Sequence, residues 1–224
     1  MHTVLSPCAD ELMTPNNILN MAMLNELDFI AITDHNSTKQ LHNVKQLSES
    51  YDFIIIPAVE VSVAEGFDCL CYFRTYEDAH SLDQLLEMNL TDNWLNYTKD
   101  DQVITDIYDM SMDTFDKPLT STTINYLDLH KEVKNRNGAI IIAHINRPSC
   151  TPLNTYKLEE IPFEGLEVSP YNMEDFIKKH PNIKNYPLFH NSDSHSLLQM
   201  HDKQFSIELK EKSIEAFFNY LEGD

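Results

Sequence analysis

Four short apolar runs each lead, at once or within a few residues, into a side chain that can bind a metal ion or transfer a proton. The runs and the residues that follow them are 29–33 with Asp34 and His35, 53–56 with Glu60, 139–143 with His144, and 187–189 with Asp193 and His195. Imidazole and carboxylate groups together suit zinc, manganese or iron. A single residue of this kind is more often a helix cap or a surface group, so the inference of a metal site depends on the fourfold coincidence.

The segments between these runs indicate how the four runs are arranged. Thr14 and Pro15 are typical of a helix start. Helical periodicity predicts helices over residues 15–27, 37–47, 76–90, 122–136 and 213–221, and shorter apolar runs at 69–73 and 165–168 suit further strands. Apolar strands that alternate with helices indicate a parallel sheet covered by helices, and a barrel and a doubly wound sheet both fit. In β/α barrels the carboxyl ends of the strands form the active-site face.

Residues 91–120 interrupt this alternation. The segment is polar and acidic, and within it only Val103 and Ile104 suit a strand. We interpret the segment as an insertion or a lid rather than as a domain. A chain of 224 residues, of which 42% are hydrophobic, is long enough for one substantial core, so we predict a single domain over residues 1–224.

The formal charge of −20 restricts the partners of this protein. Long nucleic acid and anionic membranes favour lysine and arginine side chains, so we expect neither as a partner. A small anionic substrate remains compatible, because bound cations reverse the local field. No apolar run approaches the roughly 20 residues that cross a bilayer. The four cysteines are too scattered for a disulfide framework, so a cytoplasmic location is expected.

Four short motifs resemble those of the PHP (polymerase and histidinol phosphatase) family, in order and spacing, over essentially the whole chain. They are His2-Thr-Val-Leu-Ser6, similar to the second half of a His-x-His-Thr-x-x-Ser opening, then Ala31-Ile-Thr-Asp-His35, Ala143-His144 followed by Arg147-Pro148, and Ser192-Asp-Ser-His195. Each motif alone is weak, and the four in order are specific. The resemblance implies an α/β fold, a distorted (β/α)7 barrel of PHP type, that holds up to three metal ions and hydrolyses phosphate esters.

The resemblance also implies a ligand set, carried over position by position. The first metal would be bound by His2, Glu60 and Asp193, the second by Glu60, Asp68 and His144, and the third by Cys8, His35 and His195. Glu60 would thus bridge the first two metals. The implied cofactors are two or three divalent ions of zinc, manganese or iron.

Three positions depart from the family pattern, one for each metal. Met1 stands in the middle of the His-x-His pair, so the first histidine is absent, while Asp68 and Cys8 replace residues that are often histidine. Aspartate and cysteine are both competent ligands. They equally suit an ordinary strand start and a small buried packing residue. The absent histidine is compatible with a start site assigned too late, with a weak first metal, or with a catalytically degraded member.

Together these features predict hydrolysis of a small-molecule phosphate ester by a metal-bound hydroxide. His35 or His195 would protonate the leaving oxygen, and Arg147 would bind the phosphate. Two alternatives stay open. One is another hydrolytic reaction on the same metals, such as amide or cyclic-ester cleavage, and the other is a non-catalytic metal-binding or regulatory module.

Overall fold

The computed structural model describes residues 1–170, 172–200, 203 and 205–223. The strands are β1 (Phe29–Ile32), β2 (Ile54–Ser62), β3 (Asp68–Tyr72), β4 (Val103–Thr105), β5 (Ser111–Thr114), β6 (Ala139–Ile142), β7 (Gly165–Glu167) and β8 (Leu188–Phe189). The helices are α1 (Pro15–Leu24), α2 (Leu41–Ser48), α3 (Tyr76–Asn89), α4 (Tyr126–Lys134), α5 (Met173–Lys179) and α6 (Ile214–Glu222). Strands and helices alternate along much of the chain, which is the mixed α/β fold that the sequence predicts.

Six strands form the main sheet, in the order β1-β2-β3-β6-β7-β8. The pairs β1–β2, β6–β7 and β7–β8 are parallel. β3 is antiparallel to both of its neighbours, so the prediction of a wholly parallel sheet is wrong at this strand. Only residues 63–67 connect β2 to β3, whereas a parallel crossover needs a dozen or more residues. The start of β3 therefore lies beside the ends of β2 and β6.

The two faces of the main sheet are covered by different elements. Side chains alternate between the faces of a strand, so Ile56, Ala58 and Glu60 of β2 share one face. The apolar members of that face pack with Phe217 and Phe218 of α6. The opposite face packs in a larger core with residues of α1, α2, α3 and α4. Glu60 thus continues an apolar row and brings a carboxylate to the same face near the end of the strand.

The first residues of the chain join the two edges of the main sheet. The amino group of Met1 donates to the carbonyl of Ala31 (3.3 Å), and the N–H of Thr33 donates to the carbonyl of Met1 (2.8 Å). On the other side, the N–H of His2 donates to the carbonyl of Ser194, beyond β8 (3.0 Å). Elsewhere the edges stand apart, and a cavity of about 590 Å³ lies between β1 and β8.

The segment 91–120 forms a small hairpin against the amino-terminal residues. β4 and β5 pair as a separate two-stranded sheet, and β5, which the sequence did not predict, is mostly exposed. The N–H of Val103 donates to the carbonyl of Val4 (2.8 Å), and the carbonyl of Thr105 accepts hydrogen bonds from Gln40 and Asn43. The hairpin is therefore attached to the loop that carries His2 and to the start of α2.

Two helices begin later than predicted. α2 begins at Leu41, because the N–H and hydroxyl of Thr38 donate to Asp83 of α3 (2.9 and 3.1 Å) instead of capping a helix. α4 begins at Tyr126, and the side chain of Asn125 caps it. None of the described helices combines the length and the apolar character that a bilayer crossing requires.

Candidate metal centre

Most of the residues singled out in the sequence converge at the carboxyl edge of the main sheet. Among the described residues, three overlapping groups offer ligand atoms that all lie within 4.8 Å of one another. They are His2 with Glu60 and Asp193, Glu60 with Asp68 and His144, and His2 with His35 and His195. Because His2 and Glu60 each belong to two groups, the three groups form one continuous cluster.

The first group is centred on the ring of His2. Its Nε2 atom lies 3.1 Å from Oε2 of Glu60 and 3.2 Å from Oδ1 of Asp193. His2 is fully buried, Glu60 is 2% exposed, and the side chain of Asp193 is 14% exposed. Two carboxylates thus meet one imidazole in a site with little access to water.

The second group uses the other oxygen of Glu60. Nε2 of His144 lies 3.5 Å from Oε1 of Glu60 and 3.4 Å from Oδ2 of Asp68. Asp68 reaches this edge because β3 is antiparallel, which sets the start of β3 beside the end of β2 (Ser62 pairs with Asp68). Glu60 presents one oxygen to each of the first two groups, which is the geometry that a bridging carboxylate needs.

The third group is a stack of imidazole rings. The ring centroid of His2 lies 4.5 Å from that of His35 and 4.3 Å from that of His195. Cys8 lies beside this stack, outside the group within 4.8 Å, and its thiol is hydrogen-bonded to His195 and His35. Burial raises the pKa of Cys8, but those two hydrogen bonds outweigh burial and lower it to about 6. A thiolate at this position is a good ligand for zinc.

The charges of the cluster are balanced by protons on imidazole rings. Burial raises the pKa of Glu60, but hydrogen bonds from His144 and His2 hold it well below its usual range. Burial lowers the pKa of His144, but hydrogen bonds to Asp68 and Glu60 raise it to about 10. Burial likewise lowers the pKa of His35, while a hydrogen bond to Cys8 and the charge of Glu60 raise it to about 10.

This donor set fits divalent cations. Ligand histidines must be neutral, so a cation takes the place of the protons that the carboxylates hold on the imidazoles. Carboxylate oxygen, imidazole nitrogen and thiolate sulfur are the ligands of zinc, and the first two also suit manganese and iron. In the part of the chain that the structure describes, no lysine or arginine forms an ion pair with Glu60 or Asp68. A metal ion would supply the missing positive charge.

Arg147 lies at the rim of the cluster. Its Nη2 atom donates to Oδ2 of Asp193 at 2.7 Å, and its side chain is 40% exposed. Asp193 therefore faces His2 with one oxygen and Arg147 with the other. His195, with a side chain 27% exposed, is also accessible from this rim. A guanidinium and an imidazole thus flank the accessible side of the cluster.

Two buried acids outside the three groups were not assigned a role from the sequence. Asp34 accepts hydrogen bonds from the N–H and hydroxyl of Thr3 (2.6 and 2.7 Å) and from the hydroxyl of Ser6 (2.8 Å), which holds the loop that carries His2. Glu167 ends β7 and accepts a hydrogen bond from the N–H of His144 (2.9 Å). The signal for Glu167 was weaker, because it lies inside the predicted strand 165–168 and does not follow the strand as the other acids do.

Comparison with known proteins gives structural neighbours only. No family model and no curated protein sequence matches the chain. A protein of Bifidobacterium adolescentis inferred to be a metal-dependent phosphoesterase matches with a TM-score of 0.59 and 16% identity, over 98% of this chain and 93% of that one. A two-domain protein of Bacteroides vulgatus that contains a predicted PHP-like metal-dependent phosphoesterase matches with a TM-score of 0.57 and 18% identity, over 99% of this chain and 60% of that one.

The lesion-specific endonuclease Q of Pyrococcus furiosus is a further neighbour, with a TM-score of 0.69 and 17% identity over the whole of this chain. Our chain spans about half of that protein (54%). Another structure of endonuclease Q holds a 27-mer DNA duplex with an abasic lesion at its active site. This likeness weighs against our exclusion of nucleic acid, which rested on net charge alone. From these neighbours we conclude that the chain has the fold of PHP-like metal-dependent phosphoesterases.

Proposed function

We propose that the protein is a metal-dependent phosphoesterase that hydrolyses a small-molecule phosphate ester. The observation that carries the proposal is Glu60, a buried carboxylate that offers one oxygen to His2 and Asp193 and the other to Asp68 and His144. Two cations that share such a carboxylate clamp the attacking and leaving oxygens of a phosphoryl transfer.

The proposed ligands follow the three groups. The first cation would be held by His2, Glu60 and Asp193, the second by Glu60, Asp68 and His144, and a third by His35, His195 and the adjacent Cys8. Bound divalent cations would supply a nucleophile at neutral pH and polarise the phosphoryl oxygen. The ions are zinc, manganese or iron, because the donors mix nitrogen, oxygen and sulfur.

The side chains at the rim would bind and orient the substrate. Arg147 has further N–H donors beyond the one that bonds to Asp193, and these would donate hydrogen bonds to phosphate oxygens. His195 is partly exposed beside them, and in a form with two cations, in which it binds no metal, it would give a proton to the leaving oxygen. His35 is the alternative acid, since it lies in the same ring stack.

We also propose that residues 1–224 form one domain and act in the cytoplasm. A barrel of seven strands remains part of this proposal. The main sheet has six strands in the part of the chain described, and hydrogen bonds of Met1 and His2 to its two edges support closure of the sheet.

The test is a panel of substrates assayed with purified protein after loading with manganese or zinc. The panel contains an aryl phosphate monoester, an aryl phosphate diester, an aryl acetate, an anilide and a DNA duplex with an abasic site. We expect metal-dependent hydrolysis of a phosphate ester of the small-molecule set, and loss of that activity in the variant Glu60→Gln.

Other outcomes separate the alternatives. Hydrolysis of the acetate or anilide alone would identify another hydrolase on the same metals. Cleavage of the duplex alone would move the substrate class to DNA, and metal binding with no turnover would favour a non-catalytic module.

A further inference from the structure

The last residue of β7, Glu167, is a buried acid beside the candidate metal centre. β7 lies between β6 and β8 in the main sheet, and the strand ends there, at its carboxyl edge. Glu167 is 3% exposed. Burial raises the pKa of Glu167, and the nearby charges of Asp193 and Glu60 raise it further. An acid in such surroundings is costly to the fold, so its contacts need an explanation.

Glu167 accepts hydrogen bonds from two residues that follow β6, His144 and Ile145. Its side-chain Oε2 accepts a hydrogen bond from the N–H of His144 (2.9 Å), and its backbone carbonyl accepts one from the N–H of Ile145 (2.9 Å). His144 has a φ angle of +28°, which residues other than glycine rarely adopt. Backbone of this kind persists only where neighbouring groups hold it.

The ring of His144 lacks the support that ligand histidines usually have. A histidine bound to metal through one ring nitrogen normally donates the other N–H to an acceptor, which sets the orientation of the ring. Nε2 of His144 points to Glu60 and Asp68, while its buried Nδ1 has no hydrogen-bond partner among the residues that the structure describes. With no hydrogen bond at Nδ1 from any described residue, the position of this ring depends more strongly on its backbone, which sets the direction of the Cα–Cβ bond, and Glu167 holds that backbone.

We propose that Glu167 is a positioning residue, which fixes the backbone of His144 so that its Nε2 atom faces the cation shared with Glu60 and Asp68. The inference rests on the proposed ligand role of His144. In this role Glu167 contacts no cation itself but sets the affinity of the second metal site.

The same strand pair provides a matched control at its other end. Oε2 of Glu164, one residue before β7, accepts a hydrogen bond from the N–H of Ile140 near the start of β6 (2.7 Å). The two acids, three positions apart in sequence, thus make the same kind of contact to backbone N–H groups, one near the start of β6 and one just beyond its end. Glu164 belongs to none of the groups near the centre and pairs with Lys134 (3.0 Å).

The experiment measures manganese and zinc binding to metal-free protein by calorimetry, with thermal unfolding of the same samples. The variants are Glu167→Met, which keeps the volume and removes the acceptor, Glu167→Gln, whose amide oxygen still accepts, and Glu164→Gln with Glu164→Met. We expect Glu167→Met to lose about 10- to 100-fold in affinity at one metal site. Glu167→Gln should stay within a few-fold of the parent, and both Glu164 variants should keep the parent affinity.

Three results would overturn the inference. They are an unchanged affinity in Glu167→Met, an equal loss in Glu167→Gln and Glu167→Met, and an equal loss in Glu164→Met. If Glu167→Met does not fold, Glu167→Asp replaces it, because the shorter side chain withdraws the acceptor and should give a smaller loss at the same site. Metal binding is read without substrate, so a parent protein that binds metal without turnover contradicts the proposed function and leaves the positioning role intact. A parent that binds no metal contradicts both.

Discussion

The two ends of the main sheet are built on opposite physical principles. At the carboxyl edge, Glu60, His144 and Glu167 are buried together although all three can carry charge. Toward the other end, Phe217 of α6 packs against Tyr72 (ring centroids 5.4 Å apart), and both belong to an apolar core cluster with Phe218 and Ala139. Burial of apolar surface stabilises the folded state, whereas burial of charge opposes it.

Positive φ angles occur near both ends, at Glu26 and Asn137 before β1 and β6 as well as at the carboxyl edge, but only at the carboxyl edge do they fall on residues of the candidate centre. His144 and Asp193, at the carboxyl edge, have positive φ angles (28° and 45°). α6, at the other end, begins at a regular cap, because the Ser213 side chain accepts from the N–H of Ala216. It ends at Gly223, a residue that adopts positive φ without strain. We infer that one end holds the fold together and that the other is kept strained and charged for binding.

The largest effect should come from the shared carboxylate of the carboxyl edge. Glu60→Gln keeps the shape of the side chain but removes its charge and one good ligand oxygen. We expect loss of both metals that it shares and at least about 1,000-fold lower activity, roughly 4 kcal/mol in activation free energy, with the fold retained. Metal analysis, circular dichroism and initial rates measure these quantities. Unchanged metal stoichiometry would rule out the bridge.

Truncation of a core side chain at the opposite end should lower stability and leave metal binding unchanged. Phe218 is fully buried, so Phe218→Ala should lower the free energy of unfolding by about 3–5 kcal/mol through lost burial and the cavity it leaves. Metal affinity of the folded variant should not change. Urea unfolding and calorimetric titration are the measurements, and Leu24→Ala, at a residue 71% exposed, is the control with a change of about 0.5 kcal/mol or less. Weaker metal binding in Phe218→Ala would break the separation between the two ends.

Replacement of Arg147 separates substrate binding from metal binding within the carboxyl edge. Removing a guanidinium that binds substrate should cost about 1–2 kcal/mol, or roughly 5- to 30-fold in kcat/KM, because the side chain is partly exposed. We expect most of the change in KM for Arg147→Ala, with unaltered metal content. Arg136→Ala removes an arginine that pairs with Glu132 on α4 and should leave kinetics unchanged. Equal kinetics for the two variants would remove Arg147 from the substrate site.

The smallest effect is a fall in stability at alkaline pH, to which the histidines of the carboxyl edge should contribute most. In metal-free protein the pKa values of His35 and His144 are about 10 against 6.5, so their stabilisation is complete below pH 6.5 and is lost as the pH rises toward 10. Cys8, with a pKa of about 6 against 9.0, gains stabilisation over pH 6–9, but it opposes three histidines, because the pKa of His195 is raised as well. We expect Tm to fall by a few degrees between pH 7 and 9.5, and added zinc or manganese to abolish most of the fall. Differential scanning calorimetry tests this, and a rising Tm would contradict it.

Sequence by itself determined which residues would converge at one edge of the sheet. The apolar runs before His35, His144 and Asp193 identify strands, and the carboxyl ends of parallel strands meet at one edge of a sheet. Local spacing therefore implied that residues far apart in the chain share one site. The predicted start of α2 was less accurate. Thr38 bonds to Asp83 of another helix and therefore does not cap α2.

Tertiary structure alone decided which groups complete the site. The direction of β3 places Asp68 at the carboxyl edge, and the hydrogen bonds of Met1 and His2 to both sheet edges place His2 between Glu60 and Asp193. Glu167 is significant only through its contact with His144. Periodicity reports whether a side chain is buried, whereas these roles depend on which distant residue it meets, and only the folded chain sets that partner.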